Sequence, residues 1–358
     1  MNNKLFNNES NIKFSNPHIS IIIPCLNEIN YIKECLYSIL SQKSQHYEFE
    51  IIIVDGMSTD GTRELIQKEF LPNPRVQLLY NPQGTVPCAL NLGIMAANGK
   101  IIIRMDAHNI YPSNYISELV YWLENSAADN VGGICITKPA KDTPKARAIA
   151  LALSHPFGVG NAYFRIGCAK PKWVDTVPFG CYRREVFDRI GLFDEELVRN
   201  QDDELNHRLI KQGGKILLVP QIVSEYYARD SLAKLWRMYW QYGYFKPLVA
   251  LKVKEISTVR QLIPPFFISC LLITAIASFW IPTALKVFAS IFGFYLSADL
   301  FFSQKCARCN DIKTKIWLVL TFPIIHFSYG FGYLKGILDF WLFKRRRTKY
   351  RREVPLSR

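Results

Sequence analysis

The spacing of hydrophobic residues differs between the first and last parts of the chain. In the first part, short runs of β-branched residues alternate with stretches in which apolar positions recur every three or four residues. The short runs are typical of buried parallel strands, and the intervening stretches are typical of amphipathic helices. We therefore predict strands starting near His18, Glu50, Val76 and Lys100, joined by helices into a parallel, right-handed wound sheet.

Two of the predicted strands end in a carboxylate. EIIIVDGMSTDGT (50–62) places Asp55 directly after an apolar run, and KIIIRMDAHN (100–109) places Asp106 and His108 after another. In an open α/β sheet, ligands bind outside the carboxyl ends of the parallel strands. We expect the two aspartates to point into one crevice, which suits a nucleotide and a divalent cation.

The last part of the chain contains three long apolar runs, at 262–281, 283–302 and 315–343. The first two carry almost no charge and reach the roughly 20 residues of a transmembrane helix. The third contains Pro323, His326, Lys335 and Asp339, so spanning, re-entrant and interfacial placements stay open. We expect two spans, because two would keep the loop around Cys306 and the basic tail on the cytoplasmic side.

Positive charge is concentrated at the end of the chain. The formal net charge is +14, and Lys344 to Arg358 contain eight Lys or Arg residues and one Glu. A basic cluster directly after an apolar run favours anionic lipid over nucleic acid as its partner. Residues 1–17 are polar and rich in Asn without an apolar core, so we predict no signal peptide and a cytoplasmic soluble part.

The nine cysteines are scattered, and Cys25, Cys35 and Cys135 lie in predicted core elements. This distribution is typical of buried thiols in a reducing compartment. Cys306 and Cys309 form a CxxC pair, but no second pair follows at zinc-site spacing. We interpret it as a loop pair without a metal.

Five motifs occur in an order that resembles a known family. They are PCLNE (24–28), VDGMSTDGT (54–62), NPQGTVPCALNLG (81–93), RMDAH (104–108) and NQDDELNHR (200–208). From about Ile19 to Tyr227 the chain resembles the inverting nucleotide-sugar glycosyltransferases of family 2, and especially bacterial exopolysaccharide glucosyltransferases of the succinoglycan type. The resemblance implies an α/β GT-A nucleotide-binding fold, a mostly parallel sheet flanked by helices, followed here by C-terminal membrane helices.

This resemblance and the apolar runs together predict five segments along the chain. A basic, aromatic stretch with helical spacing follows Tyr227 and is typical of a helix in the membrane interface, where it would cover the active site. Its Trp236-Arg237 order reverses that of the QxxRW helix of processive synthases, which argues against a processive polymerase. The segments are a polar tail (1–17), a GT-A domain (18–228), an interfacial amphipathic helix region (229–258), a membrane segment (259–343) and a basic cytoplasmic tail (344–358).

The resemblance assigns donor binding to the ends of the first strands. It implies that Pro24, Asn27, Glu28, Asp55 and Gly84 contact the nucleotide-sugar, with Asp55 accepting a hydrogen bond from the uracil imide. Two of these residues have structural alternatives. Asp55 could form an Asx-turn into the following loop, and Glu28 could cap the following helix.

The resemblance also implies a metal site at RMDAH. A divalent cation, Mn²⁺ or Mg²⁺, would neutralise the charge that builds on the leaving diphosphate. Asp106 is the first candidate ligand, and His108 is a second ligand or a nearby polar contact. His108 stands where the family usually has Asp, so the metal stays open, although imidazole favours Mn²⁺. The structural alternative for Asp106 is a turn or helix-capping role.

An inverting transfer needs a general base for the acceptor hydroxyl. The family pattern maps this base onto Asp202, with Gln201 in place of the usual Glu and the neighbouring Asp203 as the second candidate. The alternative is that these acids only stabilise the dipole of the helix that follows. Arg208 would either orient this segment or contact phosphate.

On the acceptor side, Trp173, Phe179 and Gly180 resemble the family's strand and turn in which an aromatic ring stacks on a sugar. Core packing is the alternative explanation of these aromatic residues. We expect UDP-sugar, a lipid-linked saccharide and membrane lipids as partners, and no nucleic acid; a homodimer is compatible with the membrane helices.

We therefore expect transfer of one sugar from a UDP-sugar to a polyprenyl-linked saccharide, in exopolysaccharide or cell-surface glycan synthesis. The expected location is the inner (plasma) membrane, with the catalytic domain in the cytoplasm. The alternatives are a polyprenyl-phosphate sugar synthase, a processive synthase with more spanning helices, and an inactive GT-A scaffold that binds nucleotide without turnover.

Overall fold

The computed structural model describes residues 18–42, 47–256, 258–306 and 311–343. The chain divides into two compact units: unit 1 is Met1–Asn130 with Phe179–Leu192, and unit 2 is Val131–Pro178 with Phe193–Arg358. The predicted polar tail (1–17), the predicted basic tail (344–358) and Cys309 of the CxxC pair lie outside the described residues.

Eight strands and thirteen α-helices form the described part of the chain. The strands are β1 (Ile19–Cys25), β2 (Phe49–Asp55), β3 (Val76–Tyr80), β4 (Ile101–Arg104), β5 (Asn130–Lys138), β6 (Lys172–Trp173), β7 (Cys181–Arg183) and β8 (Ile216–Tyr227). The helices are α1 (Ile32–Leu40), α2 (Thr62–Glu69), α3 (Val86–Ala96), α4 (Tyr115–Glu124), α5 (Pro144–Ala152), α6 (Pro156–Val159), α7 (Tyr163–Ile166), α8 (Arg184–Ile190), α9 (Gln201–Lys211), α10 (Leu232–Val253), α11 (Ile263–Ala277), α12 (Pro282–Lys305) and α13 (Ile312–Gly336).

Unit 1 is built on a sheet with the strand order β3-β2-β1-β4-β7. The first four strands are parallel, and β7 runs antiparallel to β4. Ile21, Ile23, Ile51 and Ile53 are fully buried, as expected of strands covered on both faces. The predicted strands and their parallel order are therefore confirmed, and Asp55 is the last residue of β2, opposite Cys25 of β1 and Tyr80 of β3.

Unit 2 combines the strands β5-β8-β6 with helices from the second half of the chain. Buried side chains of α5, α10 and α13 form one cluster, which includes Ile149, Leu235 and Phe322. The backbones of α10 and α13 approach very closely: a Cβ on Gly243 would lie 2.1 Å from the carbonyl oxygen of Tyr329. Glycine permits this approach because it has no side chain.

Three helical segments are long and apolar enough to cross a membrane: Val259–Ala277, Pro282–Lys305 and Ile312–Leu342. In the first two, 17% and 6% of the most apolar window is buried within the protein, against 44% in the third. All three apolar runs are therefore helical, and the third is also packed against protein. Our expectation that only two of them span the membrane stays a prediction.

Candidate active site

In unit 1, the loops that follow β1 and β2 are tied together by hydrogen bonds. The amide of Asn27 donates to Ser58 Oγ, and the side-chain oxygen of Asn27 accepts from the amide of Thr59, both at 2.8 Å. The amide of Glu28 donates to Thr62 Oγ1, also at 2.8 Å. Because each loop satisfies backbone groups of the other, the predicted donor-binding residues Asn27 and Glu28 have fixed positions.

Most of the strained backbone positions lie at or beside the predicted site residues. Five of the described non-glycine residues have a positive φ: Asn27 (54°), Met57 (67°) and Phe179 (50°) in unit 1, and Asn200 (60°) and Lys254 (59°) in unit 2. Of these, Lys254 lies apart from the predicted site residues, at the end of α10. Such conformations cost about 1–3 kcal/mol each and cluster at ligand-binding and active sites. Asn27 and Met57 lie in the two interlocked loops, and Asn200 directly precedes α9 with its acidic first turn.

Gly84 lies in the loop that follows β3, at the same edge of the sheet. Its φ of 65° favours glycine, and the Cα of Gly84 lies only 3.4 Å from where a Cβ on Gly56 would be. The loops after β2 and β3 therefore approach each other at the level of the backbone. This close approach is compatible with the predicted contact between Gly84 and the diphosphate.

Asp55 is fully buried and is paired with an arginine that the sequence analysis missed. Its carboxylate accepts hydrogen bonds from Arg63 Nε and Nη2 at 3.0 and 2.9 Å and from the amide of Ser58 at 3.1 Å. The guanidinium of Arg63 lies 5.2 Å from the centre of the Tyr80 ring. Tyr80 itself is 47% exposed. Asp55 thus does bond to the backbone of the following loop, although at Ser58, three residues on, and not at the second residue as in an Asx-turn. The role of Asp55 in base recognition stays a prediction.

Asp106 and His108 follow β4, as predicted, and each has an identified partner. Asp106 Oδ1 accepts a hydrogen bond from Arg104 Nη2 at 3.2 Å, and the amide of Asp106 donates to the Tyr111 hydroxyl at 2.8 Å. His108 Nδ1 lies 3.5 Å from Glu28 Oε1. The structure therefore brings a predicted metal ligand next to a predicted nucleotide-binding residue.

The metal-binding role of Asp106 and His108 stays a prediction. Within the described residues, no group of three or more His, Cys, Asp or Glu side chains is placed to hold a metal ion. The Asp106 carboxylate and His108 imidazole offer two ligands of types that Mn²⁺ accepts. The remaining ligands would have to be diphosphate oxygens, as is usual for cations bound together with nucleotides.

The predicted acceptor-side residues are divided between the two units. In unit 1, Phe179 is buried beneath the guanidinium of Arg104, at 5.9 Å, and a Cβ on Gly180 would lie 2.5 Å from Asn130 Oδ1. In unit 2, Trp173 lies on β6 and is 51% exposed. Packing thus accounts for Phe179 and Gly180, whereas the exposed face of Trp173 is compatible with sugar stacking.

In unit 2, the first turn of α9 carries Asp202, Asp203 and Glu204, as the sequence predicts. Glu204 is buried and accepts two hydrogen bonds from Arg208, both at 2.8 Å. Asp203 Oδ2 accepts from Lys246 Nζ of α10 at 2.6 Å. Arg208 therefore holds the acidic turn through Glu204, and Asp203 is held by a different helix.

Another ion pair of unit 2 lies where the first candidate membrane span begins. Arg260 Nη2 donates to Asp175 Oδ2 at 2.6 Å, and Nη1 donates to Asn161 Oδ1 at 2.7 Å. Burial raises the pKa of Asp175, against the opposing effect of Arg260. Lys246, Asp175 and Arg260 were not predicted from sequence, because their pairs join residues 43 and 85 positions apart without a local motif.

Comparisons with known proteins identify clear relatives. A family model described as glycosyl transferase family 2 matches residues 20–191. The succinoglycan biosynthesis protein ExoA of Rhizobium meliloti (strain 1021) is 32% identical over 246 residues, covering 68% of this chain and 73% of that protein.

A second relative covers almost the whole chain. It is the dolichyl N-acetyl-alpha-D-glucosaminyl phosphate 3-beta-D-2,3-diacetamido-2,3-dideoxy-beta-D-glucuronosyltransferase of Methanococcus voltae. The two sequences are 30% identical over 334 residues, which is 89% of this chain and 97% of the relative. The similarity therefore extends beyond the nucleotide-binding strands into the apolar helices.

Among solved structures, the mannosyltransferase PcManGT from Pyrobaculum calidifontis, in complex with GDP-Man and Mn²⁺, aligns with a TM-score of 0.55 at 18% identity. The alignment covers 91% of this chain and 88% of PcManGT. At this identity the likeness concerns the fold. The predicted α/β GT-A fold, followed by apolar helices that are candidate membrane spans, is confirmed.

Proposed function

Since this chain belongs to glycosyl transferase family 2, whose relatives act in polysaccharide and glycan biosynthesis, we propose that it transfers one sugar from a UDP-sugar, with inversion, to a polyprenyl-linked saccharide. The observation that carries this proposal is the ion pair between Asp203 and Lys246. It fastens the acidic turn of α9 to α10, which packs along the third candidate membrane span. The acidic turn and the candidate membrane segment therefore belong to one compact unit, which favours a lipid-borne acceptor.

The proposed base is Asp202. Asp202 accepts the proton of the acceptor hydroxyl while the hydroxyl oxygen forms a bond to the anomeric carbon and the bond to the diphosphate breaks. Asp203, whose carboxylate accepts a hydrogen bond from Lys246, is the second candidate. Arg208 positions the turn through Glu204.

The donor is held by unit 1 in this proposal. The interlocked loops around Asn27 and Glu28 support the nucleoside, and Asp106 and His108 would hold a divalent cation. When bound, the cation would neutralise the negative charge that develops on the departing diphosphate.

The location in the proposal is the inner face of the plasma membrane. Three helical segments have the length and apolar composition of spans. Arg260 lies at the start of the first of them, and Lys246 lies in α10, which precedes it. Relatives support the lipid-linked acceptor, since the Methanococcus protein is named for a dolichyl-linked sugar phosphate.

The test is a transfer assay with the full-length protein in an uncharged detergent. UDP-sugars and GDP-sugars are each offered with Mn²⁺, Mg²⁺ or EDTA, and the acceptor is either an undecaprenyl diphosphate-linked sugar or undecaprenyl phosphate. We expect transfer from one UDP-sugar to the sugar-bearing lipid, lost with EDTA. Transfer to bare undecaprenyl phosphate would instead indicate a polyprenyl-phosphate sugar synthase, and UDP binding without any turnover would indicate a scaffold.

Asp202→Asn and Asp203→Asn form the matched pair in this assay. Loss of a general base lowers turnover about 10²–10⁴-fold, so we expect this loss in Asp202→Asn, with unchanged UDP affinity by calorimetry. Asp203→Asn should have a smaller effect. The base assignment fails if Asp202→Asn transfers sugar at the wild-type rate.

A further inference from the structure

The guanidinium of Arg165, in unit 2, lies among aromatic side chains. Arg165 belongs to α7, and its Cζ lies 4.9 Å from the centre of the Tyr226 ring and 5.4 Å from that of Phe164. Tyr239 and Tyr242 of α10 are close enough to interact with it electrostatically. We call Arg165 with these four rings the arginine cage.

The arginine cage provides no negative charge. Arg165 Nη1 is buried without a hydrogen-bond partner, and within the described part of unit 2 no carboxylate lies at ion-pair distance from this guanidinium. Burial raises the pKa of both Tyr226 and Tyr239, so their phenols stay neutral at physiological pH. Other cations of the same unit have carboxylate partners: Arg208 pairs with Glu204, Lys246 with Asp203 and Arg260 with Asp175.

The energies favour an anionic ligand at this position. Moving a cation out of water costs several kcal/mol, whereas a cation–π contact returns only about 0.5–2 kcal/mol. A guanidinium with an unused N–H group is also a good donor for phosphate oxygens. An anion bound to Arg165 would offset the part of the desolvation cost that the cation–π contact does not.

The surroundings of the cage indicate where such an anion comes from. The segment just before α7 is attached to α13, the helix of the third candidate membrane span. His326 Nε2 of α13 donates a hydrogen bond to the carbonyl oxygen of Phe157 at 2.7 Å, and the rings of Phe157 and Phe322 are 5.0 Å apart. The cage therefore belongs to the part of the protein that packs against a candidate membrane helix.

We propose that Arg165 binds the phosphate group through which the acceptor sugar is attached to its prenyl chain. The inference rests on the proposed function and adds the residue that would recognise the lipid-linked end of the acceptor. The aromatic rings keep the guanidinium in place, and its unused N–H group donates to a phosphate oxygen. The sugar that receives the new bond is thereby positioned relative to its lipid anchor.

The test measures binding of farnesyl phosphate and farnesyl diphosphate to the full-length protein in uncharged detergent. UDP and Mn²⁺ are present at saturation, so that the donor site does not bind the probe. Arg165→Gln should weaken binding of the probes about tenfold, as expected for one lost hydrogen bond to a charged group. The matched control is Arg147→Gln, because Arg147 is also an arginine of unit 2 but pairs with Asp142 and Asp311.

Three results would overturn the proposal. Arg165→Gln could bind the probes as tightly as wild type, or it could lose affinity for UDP, which would assign Arg165 to the donor. It could also lose affinity equally for phosphatidylglycerol added to the same detergent micelles, which would indicate a general lipid headgroup site. Failure of the proposed function can be told apart from failure of the Arg165 inference. The former would appear as absent UDP binding or absent transfer in the wild type, and the latter only in the Arg165 variants.

Arg165→Lys keeps the test valid if Arg165→Gln does not fold. Lysine retains the positive charge but lacks the planar, forked donor geometry that stacks on Tyr226 and meets phosphate. We expect intermediate affinity for the farnesyl probes. Wild-type affinity in this variant, together with unchanged transfer, would contradict a specific role of the guanidinium.

Discussion

The two loops that follow β1 and β2 in unit 1 and the first turn of α9 in unit 2 are held by different kinds of contact, although unit 1 also contains ion pairs such as that of Asp55 with Arg63. In unit 1, the loops after the strands are joined by side chains that bond to backbone amides, as between Asn27 and Thr59 or Glu28 and Thr62. In unit 2, the predicted acidic turn is held by pairs of charged side chains, such as Asp203 with Lys246. Side-chain-to-backbone bonds fix a loop, whereas an ion pair can exchange one partner for an anionic ligand.

This difference agrees with the roles that we propose for the units. A nucleotide site needs a preformed shape, and interlocked loops reduce the conformational entropy that binding would otherwise cost. An acceptor that carries phosphate brings its own negative charge, so basic residues must be available for it. Arg165 meets this requirement without breaking an ion pair, because the described residues give it no carboxylate partner.

The largest expected effect tests how much the buried ion pair between Asp55 and Arg63 stabilises unit 1. Arg63→Met should destabilise the protein by about 3–5 kcal/mol, because it leaves the fully buried Asp55 carboxylate without its cation. Thermal unfolding in detergent measures the loss. The matched control is Lys33→Met, which removes an exposed pair with Glu69 and should change stability little. Equal losses in the two variants would show that Asp55 does not depend on Arg63.

A smaller effect sharpens the role of unit 1 in binding the donor. Asp106→Asn keeps an oxygen that can accept from Arg104 but removes the negative charge. We expect the affinity for UDP in the presence of Mn²⁺ to fall by at least about 10–100-fold, the loss that follows when a residue that only supports a metal ligand is changed. In EDTA the affinity should not change, as measured by calorimetry. Asp129→Asn is the control, since Asp129 pairs with Arg189 elsewhere in unit 1. A loss that is the same with and without metal would contradict a metal-binding role.

Much of the fold and part of the site could be predicted from sequence. Asp55 ends β2 and Asp106 follows β4, as expected, because β-branched runs and their polar ends are local signals. The acidic residues Asp202 and Asp203 lie in the first turn of a helix, also as expected. The three apolar runs are helices. The catalytic, nucleotide and metal roles of these residues stay predictions.

The residues that sequence analysis missed depend on tertiary packing. Arg63 has the appearance of any exposed helix residue until α2 places it over Tyr80 and beside Asp55. Lys246 and Arg260 become relevant only because their helices meet distant carboxylates. Arg165 is recognisable only by its missing partner, which no sequence pattern can display.

The smallest expected effect concerns the stability of unit 2 at low pH. His155 caps α6 by accepting a hydrogen bond from the amide of Phe157 at 3.1 Å, and burial lowers the pKa of its imidazole below the ordinary value of 6.5. The folded state therefore favours the neutral ring. This contribution to stability is fully present above the unfolded-state pKa and is lost as the pH falls through the lower, folded-state pKa.

The variant His155→Asn keeps a capping acceptor that does not titrate. Between pH 7.5 and pH 5, the melting temperature of the wild type should fall more than that of His155→Asn, since only the wild type must protonate a capping group. His18→Asn provides the control from unit 1, where His18 contacts Glu124 at the surface. If wild type and His155→Asn lose the same number of degrees, the cap does not titrate in this range, and the pH sensitivity of the protein resides outside α6.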